Sequence, residues 1–574
     1  MHENKVSLKA FSLTWIFIFV ILTFKSIFLL DSIYSYDLIT IISFCIFNCM
    51  PTIFLISFSF IFEDAKSIRY LVILDLILSV IFLVDIIYAR AFHKLISVYM
   101  IFSKGVLIDM DQSITSLIKA SDFLILIDIP FLYIFFKSSI SEQIIVNRKL
   151  KLFIFILISS VVLIPLQFEQ LESSKVLGNY RLHPLVMSPV GNHMFDIFRF
   201  AYEKGEHLND DEITSINNWL EKNSENNIPS SEYKFLAGLA KDKNVIAIQF
   251  ESLENILINQ SYYNQEITPN INSILKSSIY FNNIYDQVRE GNSSDAEYMF
   301  NTSIYPISNG STFLRFGNNK YNSLPFILNS YGFTSIAIHG DDKEFWNRDR
   351  VYPALGFNGY IHEDNFSYKK IDGMGIADES LFLQTYDELK KLRNPYYMFV
   401  ITLTSHMPFN ISDDFRYLEL PNTDYSCNYL QSIHYTDKVL GDFFDKLDEN
   451  GMLDNTIFII YGDHEGVHKY YDTYLPDNNG RVPFIIYIPG IDGFVVDKIG
   501  GQIDMMPTLL YLLGIDENDY NKSLMGNNLF SSSPGSVLLP SGDIIGKTEN
   551  EDHLNNANLI SDLIIKGNYF SINK

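Results

Sequence analysis

Cysteine is scarce: three in 574 residues, Cys45, Cys49 and Cys427. Two share one apolar segment and the third stands alone far downstream. No disulfide framework or cysteine zinc site can be built from them, and all three read as packing residues. Positive charge is also in deficit, with 43 Lys and Arg against 67 Asp and Glu and a net charge of −24. Nucleic-acid binding needs Lys/Arg patches for phosphate, so no nucleic-acid partner is expected. The deficit is uneven. Residues 1–170 hold 13 basic and 13 acidic residues, and the remainder holds 30 and 54. No internal repeat stands out. No small-residue cleavage site follows the first apolar run, which is too long for a signal peptide.

Long apolar runs fill that balanced first part. Five read as membrane spans, at about 10–30, 38–62, 70–89, 122–136 and 150–167. A span takes about 20 apolar residues, so the fourth is short and interfacial placement is its alternative. Lys5 and Lys9, Lys66 and Arg69, and Lys137, Arg148, Lys149 and Lys151 all fall on one side of a five-span bundle. The positive-inside bias makes that side cytoplasmic and the acidic remainder extracellular. Arg90, Lys94, Lys104 and Lys119, in the loop at 90–121, run against this orientation. Asp75, Asp85 and Asp128 lie within spans, where carboxylates are costly and often functional. Burial inside the helix bundle is the competing reading.

The expected organisation is a transmembrane domain of about five helices at 1–168, a helical connector at 169–240, a catalytic domain at 241–535 and an extension at 536–574. In the connector, DDEITSINNWLEKN has helical spacing and acidic residues in its first turn. From 241 onward, NVIAIQF, TSIAIHG, PYYMFVITLT, NTIFIIYG and VPFIIYIPG are β-rich runs closed by Gly or polar residues. DESLFLQTYDELKKLR and DYSCNYLQSIHYTDKVLGDFFDKLDE have helical periodicity between them. Such alternation predicts an α/β sheet covered on both faces.

Four of these strands run straight into chemistry: Glu251, His339 with Asp341, His406, and Asp463 with His464. Open α/β sheets bind ligands beyond the carboxyl ends of their strands. A single polar residue there is ordinary. Four ends with carboxylates and histidines point to a metal or acid–base site.

His464-Glu465-Gly466-Val467-His468 also matches H-E-x-x-H, the zinc-protease pattern, which needs both histidines on one helix face. Here a strand ends just before Asp463, and Gly466 disfavours a helix by about 1 kcal/mol relative to Ala. His468 is therefore expected in a loop, outside the site.

In REGNSSDAEYMF, residues 289–300, two serines precede Asp295 and Glu297. One reading is a helix start with Ser as N-cap and acids in the first turn. The other is a nucleophilic hydroxyl at a helix N-terminus, where backbone N–H groups favour phosphate and a metal lowers the hydroxyl pKa. These residues alone leave both readings open, and do not rank Ser293 against Ser294. In HGDDKEFWNRDRVYPALGF, Trp346 and Arg348 beside His339 and Asp341 suit a cradle for phosphate and polyol, with Arg fitted to bidentate contacts. A surface loop with charge pairs is the plain alternative.

Together these stretches resemble the lipoteichoic acid synthase family, phosphoglycerol transferases within the alkaline phosphatase and sulfatase superfamily. The likeness rests on Glu251-Ser252 after a strand and on Gly291 to Glu297 against a run like G-K-T-S-D-S-E. It also rests on His339 to Asp349 against H-G-D…F-W-N-R-D, on Thr402 to Phe409 against T-x-x-x-H-x-P-F, and on Gly462 to Gly466 against G-D-H-x-G. It implies an N-terminal transmembrane bundle and a C-terminal α/β/α sulfatase-like domain. It implies Ser293 as the catalytic nucleophile, and Glu251, Ser293, Asp463 and His464 as metal ligands. His339, Asp341, Trp346, Arg348 and His406 become substrate-binding residues. It further implies one divalent metal, Mn²⁺ first with Mg²⁺ or Zn²⁺ as alternatives. The donor would be phosphatidylglycerol, the acceptor a glycolipid or polymer, and the setting a bacterial cell membrane with the catalytic domain outside. Two departures stand out. The family's threonine nucleophile is serine, and the lysine before it is Asn292. The run holds no cysteine, which argues against a formylglycine sulfatase. A phosphoethanolamine transferase, a phosphodiesterase, or an inactive membrane-anchored binding protein are the alternatives.

Overall fold

The computed structural model describes residues 8–34, 36–62, 64–101, 111–138, 153–154, 156–157, 159, 183–202, 207–548 and 550–572. The chain forms two units. One comprises Met1–Phe102 and Ile114–Lys204, the other Ser103–Ser113 and Gly205–Lys574.

In the first unit, apolar length dictates the helices. Helices α1 (Leu8–Ile33) and α4 (Asp64–Phe92) are each long and apolar enough to cross a bilayer. The 38–62 run is broken into α2 (Leu38–Phe47) and α3 (Met50–Ser57), bent by 46°. The break has a cause: Pro51 opens α3 and has no N–H to carry the ladder through. Counted as one bent span, the pair makes three candidates among the described residues. The expected fourth span is instead a 3₁₀ stretch, Ala120–Leu126, followed by α5 (Ile129–Ser138), with no helix of bilayer length. The fifth falls largely outside the described residues. Ile18, Leu22, Leu29, Leu71, Leu78 and Phe82 form the core of this unit. Phe17, Val20, Phe24, Ile73 and Ile77 are exposed, as a lipid-facing surface requires.

All three carboxylates flagged in the spans have partners inside this bundle. The Lys25 ammonium lies 2.9 Å from both Asp75 and Asp128 and donates to Ser79 Oγ at 2.6 Å. Asp85 meets His193 Nε2 at 2.8 Å, from α6 (His183–Tyr202), and accepts the Ile96 N–H at 3.0 Å. Burial with a partner accounts for each of them.

In the second unit, α7 (Asp210–Ser224) starts at a capping box between Asn209 and Glu212, as its acidic first turn predicts. The central sheet holds nine strands: β1 (Asn244–Phe250), β2 (Ser278–Tyr285), β3 (Thr334–His339), β4 (Gly359–Ile361), β5 (Tyr396–Ile401), β6 (Thr456–Gly462), β7 (Arg481–Tyr487), β8 (Phe494–Val496) and β9 (Gly500–Gly501). Their order is β8-β2-β7-β6-β1-β5-β3-β4, with β9 also on β2. Strands β6, β1, β5, β3 and β4 are parallel, while β7 is antiparallel to both its neighbours.

All five runs expected as strands are strands, and β1, β5 and β6 are buried along their whole length. That explains their continuous hydrophobicity rather than alternation. Helices cover both faces. Phe300, from α8 (Ser293–Thr302), stacks on Phe399 at 5.9 Å and on Tyr461 at 4.8 Å. Phe458, three residues before Tyr461 and so on the opposite face, meets Phe444 of α11 (Tyr425–Glu449) at 5.0 Å. Between these helices in sequence come α9 (Arg348–Leu355) and α10 (Asp378–Leu389).

Candidate active site

Strand register brings the carboxylates together. In the parallel pair β1 and β6, Phe250 lies opposite Gly462, so Glu251 and Asp463 leave adjacent strands at the same level. Strand β5 lies on the other side of β1, and His339 at the end of β3 sits opposite Ile401. The rim is tightly held. Glu251 N–H donates to Thr402 Oγ1 at 2.9 Å, and Ser405 Oγ donates to Glu251 O at 2.6 Å. The Asp463 carboxylate accepts the Ser252 N–H at 2.7 Å, and Gln502 Nε2 donates to Asp463 O at 2.6 Å. Gly462 has to be glycine, because a Cβ there would lie 2.1 Å from Leu253 O.

Glu251, Asp463 and His464 are all buried, and one ligand atom from each lies within 4.8 Å of the others. Their donor set, two carboxylates and an imidazole, suits a divalent cation. His464 Nδ1 is 2.7 Å from Glu465 O. An N–H to that carbonyl leaves Nε2 with its lone pair, 3.4 Å from Glu251 and 3.5 Å from Asp463. Asp463 Oδ2 is buried without a hydrogen-bond partner. Burial lifts the Glu251 carboxyl above its usual range. Burial, then the Glu251 charge, lifts Asp463 well above. Burial, then the Lys469 charge, pushes the His464 imidazole well below. Crowded, protonation-prone carboxylates beside a neutral imidazole and an orphaned oxygen fit a bound cation.

The serine run closes on this cluster. Helix α8 begins at Ser293, and its N-cap is Asn292, which makes no side-chain cap bond; a serine cap, one of the two readings the sequence leaves open, is not what forms. Ser293 Oγ donates to Glu251 Oε2 at 3.1 Å and lies 3.4 Å from His464 Nε2. Ser294 Oγ turns away and donates to Gly291 O at 2.6 Å. Asp295 accepts the N–H groups of Arg289 and Gly291 at 2.9 and 3.0 Å, which fixes the loop in front of the serine. A Cβ on Gly291 would meet that carboxylate at 2.1 Å. Gln249 Nε2 donates to Ser293 O at 3.2 Å, and Tyr461 holds Gln249 at 2.7 Å.

His339 is buried with Nδ1 3.0 Å from Ile401 O, and His406 Nδ1 lies 2.8 Å from Met407 O. Burial lowers the pKa of both imidazoles and raises that of Asp341. The charges of Arg348 and His406 act on both His339 and Asp341, and those of Asp463, Asp341 and Arg348 act on His406. Trp346 is buried, and Trp346 and Asn347 both adopt positive φ, 55° and 61°. Arg348 is almost wholly buried at 1 % exposure. It is held by Glu297 of α8, with Nη2 at 2.6 Å and Nε at 3.1 Å from the carboxylate, while Tyr352 donates to the same group at 2.5 Å.

His468 differs from expectation. It lies in a short helix, Val467–Tyr470, and its Nδ1 is 2.6 Å from the buried Glu254 carboxylate. The two histidines of H-E-x-x-H therefore serve different partners, and the zinc-protease geometry is absent. Glu254 also accepts the N–H groups of Gly466 and His468, at 2.8 and 3.2 Å, and so ties the loop after His464 to the segment after β1. Glu254→Ala should destabilise the protein by about 3 kcal/mol, as loss of one partner of a buried ion pair does. The readout is a lower thermal midpoint for the solubilised chain, and an unchanged midpoint contradicts this role.

Residues 1–203 match the family model for the lipoteichoic acid synthase N-terminal domain, and residues 243–515 match the sulfatase model. The chain belongs to the lipoteichoic acid synthase family. It is 29% identical over 531 residues to lipoteichoic acid synthase 1 of Bacillus subtilis, covering 87% of this chain and 82% of that protein. It is 28% identical over 576 residues to lipoteichoic acid synthase of Staphylococcus saprophyticus, covering 95% and 88%. Among solved structures, the lipoteichoic acid synthase LtaP of Listeria monocytogenes superposes with a TM-score of 0.54 at 26% identity. That match covers 63% of this chain and 98% of the other.

Within this synthase-family site, sequence reasoning missed Gln249, Glu254, Thr402, Ser405 and Lys469. Thr402 and Ser405 lie inside the T-x-x-x-H run and were open to view. Lys469 is the one lysine or arginine in YGDHEGVHKYY, and the loss of lysine at 292 was the hint to look for it.

Proposed function

We propose that this chain is a membrane-bound phosphoglycerol transferase that takes its group from phosphatidylglycerol and delivers it to a glycolipid or polymer acceptor. The observation that carries the reading is Ser293 Oγ held against Glu251 and His464, at the rim of a sulfatase-like sheet, in a chain of this family. Glu251, Asp463, His464 and Ser293 would hold the metal, with Mn²⁺ or Mg²⁺ suited to a mainly oxygen donor set. When bound, the metal would lower the pKa of the serine hydroxyl and neutralise phosphoryl charge.

The chain's own residues do the rest. Ser293 Oγ attacks phosphorus, the bond to the diacylglycerol oxygen breaks, and phosphoglycerol stays on the serine. An acceptor hydroxyl then displaces Ser293. His406, with Nδ1 held by Met407 O, has Nε2 available to hold a phosphoryl oxygen or move a proton. Glu297 fixes Arg348, which presents its guanidinium edge to a phosphoryl oxygen, while His339, Asp341 and Trp346 bind the glycerol phosphate. We read the membrane part as five crossings, the fourth made by the 3₁₀ stretch and α5 together, with the catalytic domain outside the cell. The connector at 169–240 and the extension at 536–574 flank that domain. The lipid donor test uses vesicles of phosphatidylglycerol or phosphatidylethanolamine with Mn²⁺. Diacylglycerol should form from the first only. Release from phosphatidylethanolamine alone would make the chain a phosphoethanolamine transferase.

Orientation has its own test. A reporter fused after Lys574 should be active only outside the cytoplasm. Cytoplasmic activity would mean an even number of spans and would remove the catalytic domain from its lipid and polymer substrates.

A further inference from the structure

The residue before the proposed nucleophile carries no charge, yet a cation reaches it. Lys469 Nζ donates to Asn292 Oδ1, arriving from the short helix that follows Asp463 and His464. The other end of the same amide, Asn292 Nδ2, lies 2.8 Å from His464 Nε2 and donates to Tyr470 OH at 3.2 Å. Asn292 has a positive φ of 46°, and its side chain does not cap α8. Its amide is spent on linking the serine run to the loop that carries His464, Lys469 and Tyr470.

The ammonium is not spent. It has three donors, and its side-chain hydrogen bond is to a neutral amide oxygen. No described carboxylate lies within 4.0 Å of Nζ, although Asp286, Asp463, Glu465 and Glu251 all act on it electrostatically. The charge of Arg348 is already balanced by Glu297, so that side chain adds no net positive charge to the site. An incoming phosphodiester brings negative charge to a site that already holds Glu251 and Asp463. A cation with free donors beside Ser293 is what that anion requires.

We propose that Lys469 binds a phosphoryl oxygen of the group attacked by Ser293, standing in for the lysine that this chain lacks at position 292. The proposal rests on the phosphoglycerol transferase reading. Asn292 positions the Lys469 ammonium, and Lys469 touches substrate.

The experiment uses full-length protein with Mn²⁺ and two substrates, phosphatidylglycerol vesicles and the generic phosphodiester bis(p-nitrophenyl) phosphate. The variants are Lys469→Met, Lys469→Arg and the double change Lys469→Met with Asn292→Lys. Loss of a charged hydrogen bond predicts that Lys469→Met lowers kcat/KM about tenfold to a hundredfold. Metal content and thermal midpoint should hold at wild-type values. Lys469→Arg should retain most activity, and the double change should recover part of what Lys469→Met loses. Wild-type kcat/KM in Lys469→Met overturns the proposal. So does a loss that tracks metal content or thermal midpoint and is not recovered by Asn292→Lys, since a purely structural lysine behaves that way. If wild type cleaves only the generic diester, the transferase reading fails, and the Lys469 assignment stands or falls on that substrate alone.

Discussion

Ser293→Ala is expected to leave a folded protein that still binds metal but neither releases diacylglycerol nor takes up label from the phosphatidylglycerol headgroup. Turnover should fall by more than about 10³-fold, because removal of a nucleophile removes the covalent route and not merely a contact. The geometry separates Ser293 from its neighbour. Ser293 Oγ lies 3.1 Å from Glu251 and 3.4 Å from His464, whereas Ser294 Oγ is turned back to Gly291 O at 2.6 Å. Ser294→Ala should therefore destabilise the loop by about 1 kcal/mol and leave the covalent intermediate in place. Ser293→Thr restores the family's own hydroxyl with one added methyl group and should keep part of the activity. Phosphoglycerol trapped on Ser294, in a digest that resolves the two serines, would overturn the assignment.

Asp463→Ala and His464→Ala carry the second large effect. Each removes one of three buried ligand groups whose donor atoms lie within 4.8 Å of one another. Metal affinity should drop by on the order of a hundredfold or more, beyond the loss typical of outer-sphere partners, and turnover should vanish with it. Asp463→Ala also deletes the acceptor of the buried Ser252 and His464 N–H groups, so the metal-free variant should be about 1–3 kcal/mol less stable than metal-free wild type. Metal content by elemental analysis and thermal midpoints with and without chelator test both statements. Stoichiometric metal and full activity in either variant would contradict the site.

The same residues show how far the sequence could be read. Strands β1, β3, β5 and β6 were legible because each is a continuous apolar run ended by a polar residue, and their register alone brings Glu251 beside Asp463. Strand β2 was not legible. Its sequence SIYFNNIY is interrupted by two asparagines that sit near its end, where burial lapses. The 38–62 run looked continuous to hydropathy, yet Pro51 breaks it, a local backbone effect that a sliding average hides. Arg348 could be named from its motif but not its bond to Glu297, which joins residues far apart in sequence. His468 was expected in a loop. It instead pairs with Glu254, and that pairing depends on the turn after β1, which sequence spacing does not encode. Lys469 could be seen in its run, but its partner could not. Its meaning comes from Asn292, 177 positions away.

The most direct test of the central claim is a single-turnover experiment on purified full-length chain with phosphatidylglycerol labelled in its glycerol headgroup. Diacylglycerol should appear in step with label held on a Ser293 peptide, and the label should leave the protein when an acceptor hydroxyl is supplied. Release of phosphatidic acid, or consumption of the lipid with no label ever held on the protein, would contradict the account.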